Sequence, residues 1–322
     1  MTATTIRSRP ALLARVDVRT AAPAAALVAV CIYFATRSPA FLTVTNLRSL
    51  LIASAPLAIT AAAMTMVILV GEIDLSVGPV VALCAIAFAL MLAAGTPLAL
   101  ALVGTLLTGA LVGAINGAVT VYGQIPSFIT TLGMFSIADG LSYLISGRST
   151  VSITEPLFFT IFYDARPFGI PIPGAFVVGT LLLVGTVLRF TPFGRAIYAV
   201  GGNAAAAAMS GVSATRTKLK VFVFSGSLVG LAGLMLAARL ASGKPDAAPA
   251  LTLDAIAAVI IGGTSLLGGR GSVARTVLGI ALISVLTNGF GLLNVDTNVQ
   301  LTIKGVIVIV AVLIDRLSGE RS

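Results

Sequence analysis

Residues 189–220 read RFTPFGRAIYAVGGNAAAAAMSGVSATRTKLK and form the one long polar interruption in a chain that is otherwise apolar. Asn203 is a good N-cap, residues 204–208 and Met209 are strong helix formers, and Gly211 can adopt the left-handed conformation that ends a helix. The stretch therefore predicts a helix of about two turns on a polar tether. A helix of that length is not stable alone in water, so we expect it to rest on another surface.

The charge of this stretch indicates which side of a membrane it occupies. It carries five basic and no acidic residues between Arg189 and Lys220, which places it on the cytoplasmic side if the flanking segments span a membrane. Five successive small side chains form a smooth knob that suits docking into a groove of a partner. The alternative is a solvated basic loop whose short helix has no function.

The composition identifies the class of protein. The chain has 322 residues, of which 58% are hydrophobic and 10% charged, and it contains no histidine. Soluble domains average about a quarter charged residues, so we predict a polytopic membrane protein. The net charge of +9 comes from basic residues that sit singly between apolar runs. They do not form a basic patch with interleaved aromatics, so no nucleic-acid partner is expected.

A helix needs about 20 apolar residues to cross the hydrocarbon of a bilayer. The sequence on this basis predicts an all-α protein with about ten transmembrane helices. The predicted spans are approximately 21–36, 49–70, 75–93, 97–121, 126–146, 173–190, 217–237, 253–267, 273–293 and 299–315.

The basic residues orient these spans. With the N-terminus inside, thirteen of the twenty basic residues lie in inner segments and six in outer ones, which predicts that both termini are cytoplasmic. The predicted organisation is a cytoplasmic segment 1–20, a transmembrane domain 21–315 with a cytoplasmic coupling loop 190–217, and a cytoplasmic tail 316–322. The proline-rich outer segment 147–172 is predicted to form an ordered cap. Glycine-rich runs such as 104–113 predict closely packed helices.

The stretch GEIDLSVGP at 71–79 sets two carboxylates between apolar spans. Acidic residues near a membrane are costly and often functional, and a non-helical break is tolerated there only where protein or water surrounds it. The alternative is a tight inner turn in which Asp74 and Ser76 cap the next helix. Asn116-Gly117 and Asn288-Gly289 belong to a weak internal repeat. The candidate pathway or gating residues are Glu72, Asp74, Asn116, Asp139 and Asn288.

Other polar features indicate packing and not chemistry. The run GGTSLLGGRG at 262–271 lacks the lysine and hydroxyl of a nucleotide-binding loop, so close packing or a re-entrant turn is the better interpretation. Lys304 lies deep in a predicted span, and we expect it to snorkel to the outer surface. A chain with no histidine and no cysteine cluster is not expected to hold a metal or to be a hydrolase.

Five stretches together resemble one known family. They are 71–78, 168–173, 191–195, 201–211 and 253–272, the last of which reads LDAIAAVIIGGTSLLGGRGS. The chain resembles, from about residue 45 to its C-terminus, the permease subunits of bacterial ABC importers for monosaccharides of the ribose type.

The resemblance implies a subunit of the inner membrane that is not itself an enzyme and binds no cofactor. It works as a pair in the lipid bilayer, docks two ATPase chains that bind ATP and Mg²⁺, and takes sugar from a periplasmic binding protein. The implied ATPase-coupling residues are Gly201, Gly202, Asn203, Ala204, Ala205, Ala206, Ala208, Ser210 and Gly211.

The sequence departs from the family pattern at three positions. Ala204 stands where the family's coupling loop usually has a glutamate, Asp139 where a basic residue is frequent, and Arg275 where glycine is common. Loss of the glutamate removes a favourable contact with the helix dipole of about 0.3–1 kcal/mol, so docking at this loop must rely on shape.

A second class of function stays open on the residues alone. An ion-coupled secondary transporter of a small polar solute would use Glu72, Asp74 or Asp139 as its proton or cation site. In the importer, closure of the ATPases would instead move the docked helix and tilt the attached spans. Neighbouring reading frames with a nucleotide-binding loop and a secretory signal would favour the importer.

Overall fold

The computed structural model describes residues 18–319. Its helices are α1 (Val18–Arg37), α2 (Val44–Leu69), α3 (Val77–Ala93), α4 (Leu98–Tyr122), α5 (Ser127–Ile145), α6 (Pro156–Phe159), α7 (Ile172–Phe190), α8 (Pro192–Gly202), α9 (Ala204–Met209), α10 (Ala214–Leu240), α11 (Leu251–Ile261), α12 (Val273–Leu292) and α13 (Thr297–Gly319). Each of the ten predicted spans overlaps one of these helices. Within the described part of the chain, six helices are long and apolar enough to cross a membrane, namely α2, α4, α5, α7, α10 and α12.

Two predicted boundaries change. The predicted span 253–267 is wrong as a continuous helix, because α11 ends at Ile261 and its 11 residues are too few to cross. Gly263 follows with a φ of 88°, a left-handed conformation that a helix cannot continue. At the other end, α13 extends past the predicted boundary of 315 to Gly319. Residues 1–17 of the predicted N-terminal segment, and the last three residues of the predicted tail, lie outside the described residues.

Helices α2 and α10 occupy the centre of the bundle. Most of the side chains along α2 from Ala55 to Leu69 are fully buried, and α10 packs against α2, α3 and α4. The contact between α4 and α10 depends on glycine. A methyl group added at Gly109 would overlap the carbonyl oxygen of Gly226, and one added at Gly226 would overlap that of Gly109. The predicted close packing of the glycine-rich run is therefore confirmed for α4.

The segment between α5 and α7 forms a compact cap. Strand β1 (Val151–Ser152) pairs antiparallel with strand β2 (Ser242–Gly243), which follows α10. This pair is a small exception to the predicted all-α fold. Phe158 and Phe162 of the cap are buried, and the ring centroid of Phe158 lies 4.5 Å from that of Phe88 in α3. The prediction of an ordered cap is confirmed, and the cap lies at the end of α10 that is remote from α9.

The glycine contact between α4 and α10 predicts how sensitive the fold is to one methyl group. We expect Gly226→Ala to destabilise the protein by about 1–3 kcal/mol, because two backbones must separate to admit the methyl. Gly133→Ala in α5 is the matched control, since nothing lies within 4 Å of the added atom. The measurement is the fraction of monodisperse protein that survives heating in detergent. Equal survival of the two variants would contradict the packing described here.

Candidate functional site

The predicted short helix is present as α9. Asn203 caps it, because its side-chain oxygen accepts a hydrogen bond from the backbone N–H of Ala206 at 3.0 Å. Gly211 has a φ of 81°, so the chain leaves the helix through the left-handed conformation that glycine permits. The local prediction of a helix between an asparagine cap and a glycine end is confirmed.

One side of α9 faces its own chain and the other side is exposed. Ala207 is buried and fastens the helix, a role that the sequence did not reveal. Met209 is 92% exposed, and the remaining alanines of the helix are exposed as well. Ala204, Ala205 and Ala208, which are among the predicted coupling residues, therefore belong to a smooth outer surface, which we call the α9 knob.

Three loops meet where α8 passes into α9. The backbone N–H of Gly269 donates to the carbonyl oxygen of Leu69, the last residue of α2, at 2.9 Å. A methyl group on Gly201 would overlap the same carbonyl oxygen, and one on Gly268 would lie 3.0 Å from the Cα of Gly71. Backbone contacts therefore join three segments. These are the non-helical segment 71–76, which we call the acidic break, the base of α9 at Gly201, and the glycine-rich loop 262–271. We call this contact the glycine junction.

The backbone of the acidic break is satisfied by hydroxyl groups from distant helices. Ser127 accepts from the N–H of Ile73 at 3.1 Å, and Thr131 accepts from the N–H of Leu75 at 3.0 Å. Thr252 at the start of α11 accepts from the N–H of Gly78 at 3.0 Å. An extended segment inside a membrane helix bundle needs such partners, because lipid offers no hydrogen bonds to the backbone.

The side chains of the break form a short buried chain of hydrogen bonds. The carboxylate of Asp74 accepts from the N–H of Ser76 at 2.9 Å and from its hydroxyl at 2.6 Å, while Asn116 donates to that hydroxyl at 2.9 Å. Asp74 and Asn116 thus belong together. The alternative in which Asp74 and Ser76 cap the next helix is wrong for Ser76, whose side chain makes no capping bond to α3.

Glu72 points towards the helix that follows the α9 knob. Its carboxylate forms an ion pair with Lys218 in the first turns of α10, and the Glu72 side chain is 9% exposed. Both residues line a cavity of about 340 Å³ together with Thr120 and Gln124. Lys218 was not among the predicted site residues, because the sequence alone does not say which carboxylate it meets.

The five candidate pathway residues do not form one site. Asp139 is half-buried on α5 and, among the described residues, its carboxylate has no hydrogen-bond or ion-pair partner. Asn288 in α12 exchanges two hydrogen bonds with Asn46 in α2, each of 2.9 Å. Asn288 is therefore far along the bundle from the break that contains Glu72 and Asp74.

A larger cavity, of about 630 Å³, opens at the end of the bundle opposite the α9 knob. Asn288 lines this cavity, as do the first turns of α11 and α13. Lys304 reaches into it and contacts Asp254 at 2.8 Å. The expectation that Lys304 snorkels to the outer surface is wrong, because its residue is 8% exposed and its charge is paired inside the bundle. Asp254 was missed as a site residue, although it is the single charge in the apolar run 251–267.

Six apolar helices of membrane-spanning length among the described residues, a cavity with a buried ion pair at one end and an exposed capped helix at the other are the features of a multi-pass membrane permease. The chain belongs to the family described as branched-chain amino acid transport system / permease component, which matches residues 46–312.

Curated relatives cover nearly the whole chain. The ribose import permease protein RbsC of Bacillus subtilis is 39% identical over 87% of this chain and 87% of its own length. RbsC of Escherichia coli K12 is 38% identical over 90% of this chain and 91% of its own. The xylose transport system permease protein XylH of Escherichia coli K12 is 35% identical, with 92% of each chain covered. No solved structure matches the chain.

The glycine junction supplies a matched pair of variants in adjacent residues. We expect Gly201→Ala to force the base of α9 away from Leu69, because the new methyl overlaps a backbone oxygen that cannot move independently. Gly202→Ala meets nothing within 4 Å and is the control. The measurement is the melting temperature of the purified protein. An unchanged melting temperature in the Gly201→Ala variant would contradict the junction.

Proposed function

We propose that this chain is the transmembrane subunit of an ABC importer for a monosaccharide, and that ATP is hydrolysed in a separate ATPase chain. The observation that carries the proposal is the α9 knob, a capped and exposed helix seated on the glycine junction. The names of the relatives RbsC and XylH support a sugar as the solute. The chain itself transports and does not catalyse.

The proposed assembly contains two copies of this chain in the inner membrane, two cytoplasmic ATPase subunits that bind ATP and Mg²⁺, and a periplasmic sugar-binding protein. The proposed topology has about ten transmembrane helices with both termini and the coupling loop 190–217 in the cytoplasm. The thirteen-to-six distribution of basic residues supports this orientation. It places the larger cavity towards the periplasm and the α9 knob towards the ATPase.

Motion of the α9 knob reaches the pathway through main-chain contacts. Because Gly201 and Gly269 both touch Leu69, a displacement of α9 by the ATPase moves the end of α2 and the loop after α11 together. The ion pair between Glu72 and Lys218 adds a direct link from the acidic break to α10. Closure of the ATPases thereby selects one of two arrangements of the bundle, and hydrolysis releases it.

The α9 knob should be sensitive to bulk and charge. We expect Ala205→Arg and Ala208→Arg to weaken co-purification of the ATPase and to abolish uptake, because each places a long charged side chain on a close-fitting surface at a cost of roughly 1–3 kcal/mol or more. The variants should still insert at normal abundance, since both positions are exposed. The measurement is solute-stimulated ATPase activity of the reconstituted complex.

Ala204→Glu is the control for this experiment. It restores the acidic residue that the resembled family usually has, at the first turn of α9, where the helix dipole favours a negative charge. We expect wild-type coupling or slightly better. Wild-type coupling in both arginine variants would mean that the loop is only a tether and that the ATPase docks elsewhere.

The source of energy distinguishes the importer from an ion-coupled transporter. Asp74 is occupied by hydrogen bonds to Ser76 and does not line either cavity described above. We therefore expect uptake into proteoliposomes to persist in Asp74→Asn and to be insensitive to an uncoupler when ATP is held constant. Collapse of wild-type uptake by the uncoupler would favour the ion-coupled alternative. Parallel assays with ribose and with leucine separate a sugar importer from the amino-acid transport in the family description.

A further inference from the structure

The cavity beside Asp254 and Lys304 has the properties of a binding site. We propose that it holds the solute in transit, and that this solute is a neutral polyhydroxylated molecule of the size of one sugar ring. The inference rests on the proposed function and adds to it a location and a set of contacts. Four features of the cavity support it, namely an unpartnered hydroxyl, the ion pair, the start of α11 and the apolar walls.

The first feature is the hydroxyl of Ser284. The residue is 8% exposed, it lines the cavity, and its oxygen has no hydrogen-bond partner. A serine in an apolar helix ordinarily donates to the carbonyl four residues earlier. Thr287, one turn further along α12, does so by donating to Ile283 at 2.9 Å. Ser284 does not, so its buried oxygen is left without a partner in a residue that lines the cavity.

The second feature is the ion pair. One oxygen of Asp254 contacts the ammonium group of Lys304 at 2.8 Å. An ammonium group has three donors and a carboxylate accepts at both oxygens, so the pair keeps unused donors and acceptors side by side. Adjacent hydroxyl groups of a sugar offer the same alternation of donor and acceptor. The two charges compensate each other, which favours a neutral ligand over an ionic one.

The third feature is the start of α11. The first turn of α11 is held by backbone hydrogen bonds, because the N–H of Leu251 donates to the carbonyl of Ala248 at 3.3 Å and that of Asp254 donates to the carbonyl of Ala250 at 2.9 Å. Ala250 and Leu251 line the cavity next to Asp254. The start of α11 therefore fixes the Asp254 carboxylate at the wall of the cavity.

The fourth feature is the size and the walls. The volume of about 630 Å³ lies within the range of small-molecule sites, roughly 300–1,000 Å³. Leu57, Leu236 and Leu292 supply apolar surface that suits the C–H face of a sugar ring. Arg239 is exposed at the rim, where it donates to the carbonyl of Ala53 at 3.4 Å, and so does not add an unpaired charge to the interior.

The first test fills the cavity. Ala53→Phe projects a ring from α2 into the space, and Ala99→Phe adds the same ring to an exposed position of α4 outside the cavity. We expect uptake by the reconstituted complex to fall about tenfold or more in Ala53→Phe and to stay unchanged in Ala99→Phe. ATPase co-purification and basal ATP hydrolysis should be equal in both, because the α9 knob is at the other end of the bundle.

The second test removes the free hydroxyl. We expect Ser284→Ala to raise the sugar concentration needed for half-maximal ATPase stimulation by several-fold, because one contact to the solute is lost. The melting temperature should be unchanged or higher, since no hydrogen bond of the folded protein is removed. A hydroxyl with a purely structural role would instead lower the melting temperature and leave the half-maximal concentration unchanged, which would contradict the proposal.

A third measurement does not depend on turnover. Ser284→Cys in a background of Cys31→Ala and Cys84→Ala is treated with a water-soluble methanethiosulfonate reagent, with and without a panel of pentoses and hexoses in excess. We expect modification without sugar and slower modification with one or more of the sugars. Modification that every sugar leaves unchanged, or a cysteine that never reacts, would overturn the proposal.

The outcomes separate this inference from the proposed function. If wild-type complex transports a monosaccharide while Ala53→Phe and Ser284→Ala transport it equally well, the importer stands and the cavity contains only water or lipid. If leucine but no sugar is transported and protects the cysteine at position 284, the cavity is the site but both the proposed solute and its chemical class are wrong.

Discussion

The backbones of Leu69, Gly201 and Gly269 meet in one contact, which fixes how α2, α8 and the loop after α11 lie relative to one another. Leu69 is the last residue of α2, and its carbonyl oxygen accepts a hydrogen bond from the N–H of Gly269. Gly201 can approach the same oxygen only because glycine has no side chain. Through this one atom the buried central helix, the base of the α9 knob and the loop after α11 are held at a fixed separation. The position of α9 is therefore linked to the positions of the break after α2 and of the loop after α11.

The breaks themselves are stable because other helices complete their hydrogen bonds. The extended segment 71–76 and the first residues of α3 leave backbone N–H groups without partners in their own segment. These groups donate to hydroxyl oxygens of Ser127 and Thr131 in α5 and of Thr252 in α11. A bilayer cannot supply those bonds, so the break exists only in the assembled bundle. This dependence explains why two half-length helices, α3 and α11, lie next to each other with their starts in contact.

Much of the fold could be predicted from local sequence. The apolar runs gave the position of every long helix, and the cap and end of α9 followed from Asn203 and Gly211 because these interactions join residues close in sequence. Partners far apart in sequence could not be predicted. The residues next to Lys304 in the sequence do not indicate whether its side chain reaches the surface or pairs with Asp254, because Asp254 is 50 residues away.

The candidate site was predicted in part for the same reason. Glu72 and Asp74 were recognisable as costly charges, but Lys218, which pairs with Glu72, and Asn116, which donates to the Ser76 hydroxyl beside Asp74, come from separate helices. The length of α11 was overestimated because Leu266 and Leu267 follow the apolar run without an intervening charge. What ends the helix is the left-handed backbone conformation of Gly263, which composition does not record.

The glycine junction transmits position through main-chain atoms, and these are the same whatever residues cover the outer face of α9. The glycine junction is therefore insensitive to substitutions on the α9 knob. In the proposed importer, substitutions at Ala204 and its neighbours can therefore adapt the chain to a changed ATPase without altering the backbone contacts at Leu69. In such a permease, the surface that selects the ATPase and the backbone contacts that carry its motion can evolve separately.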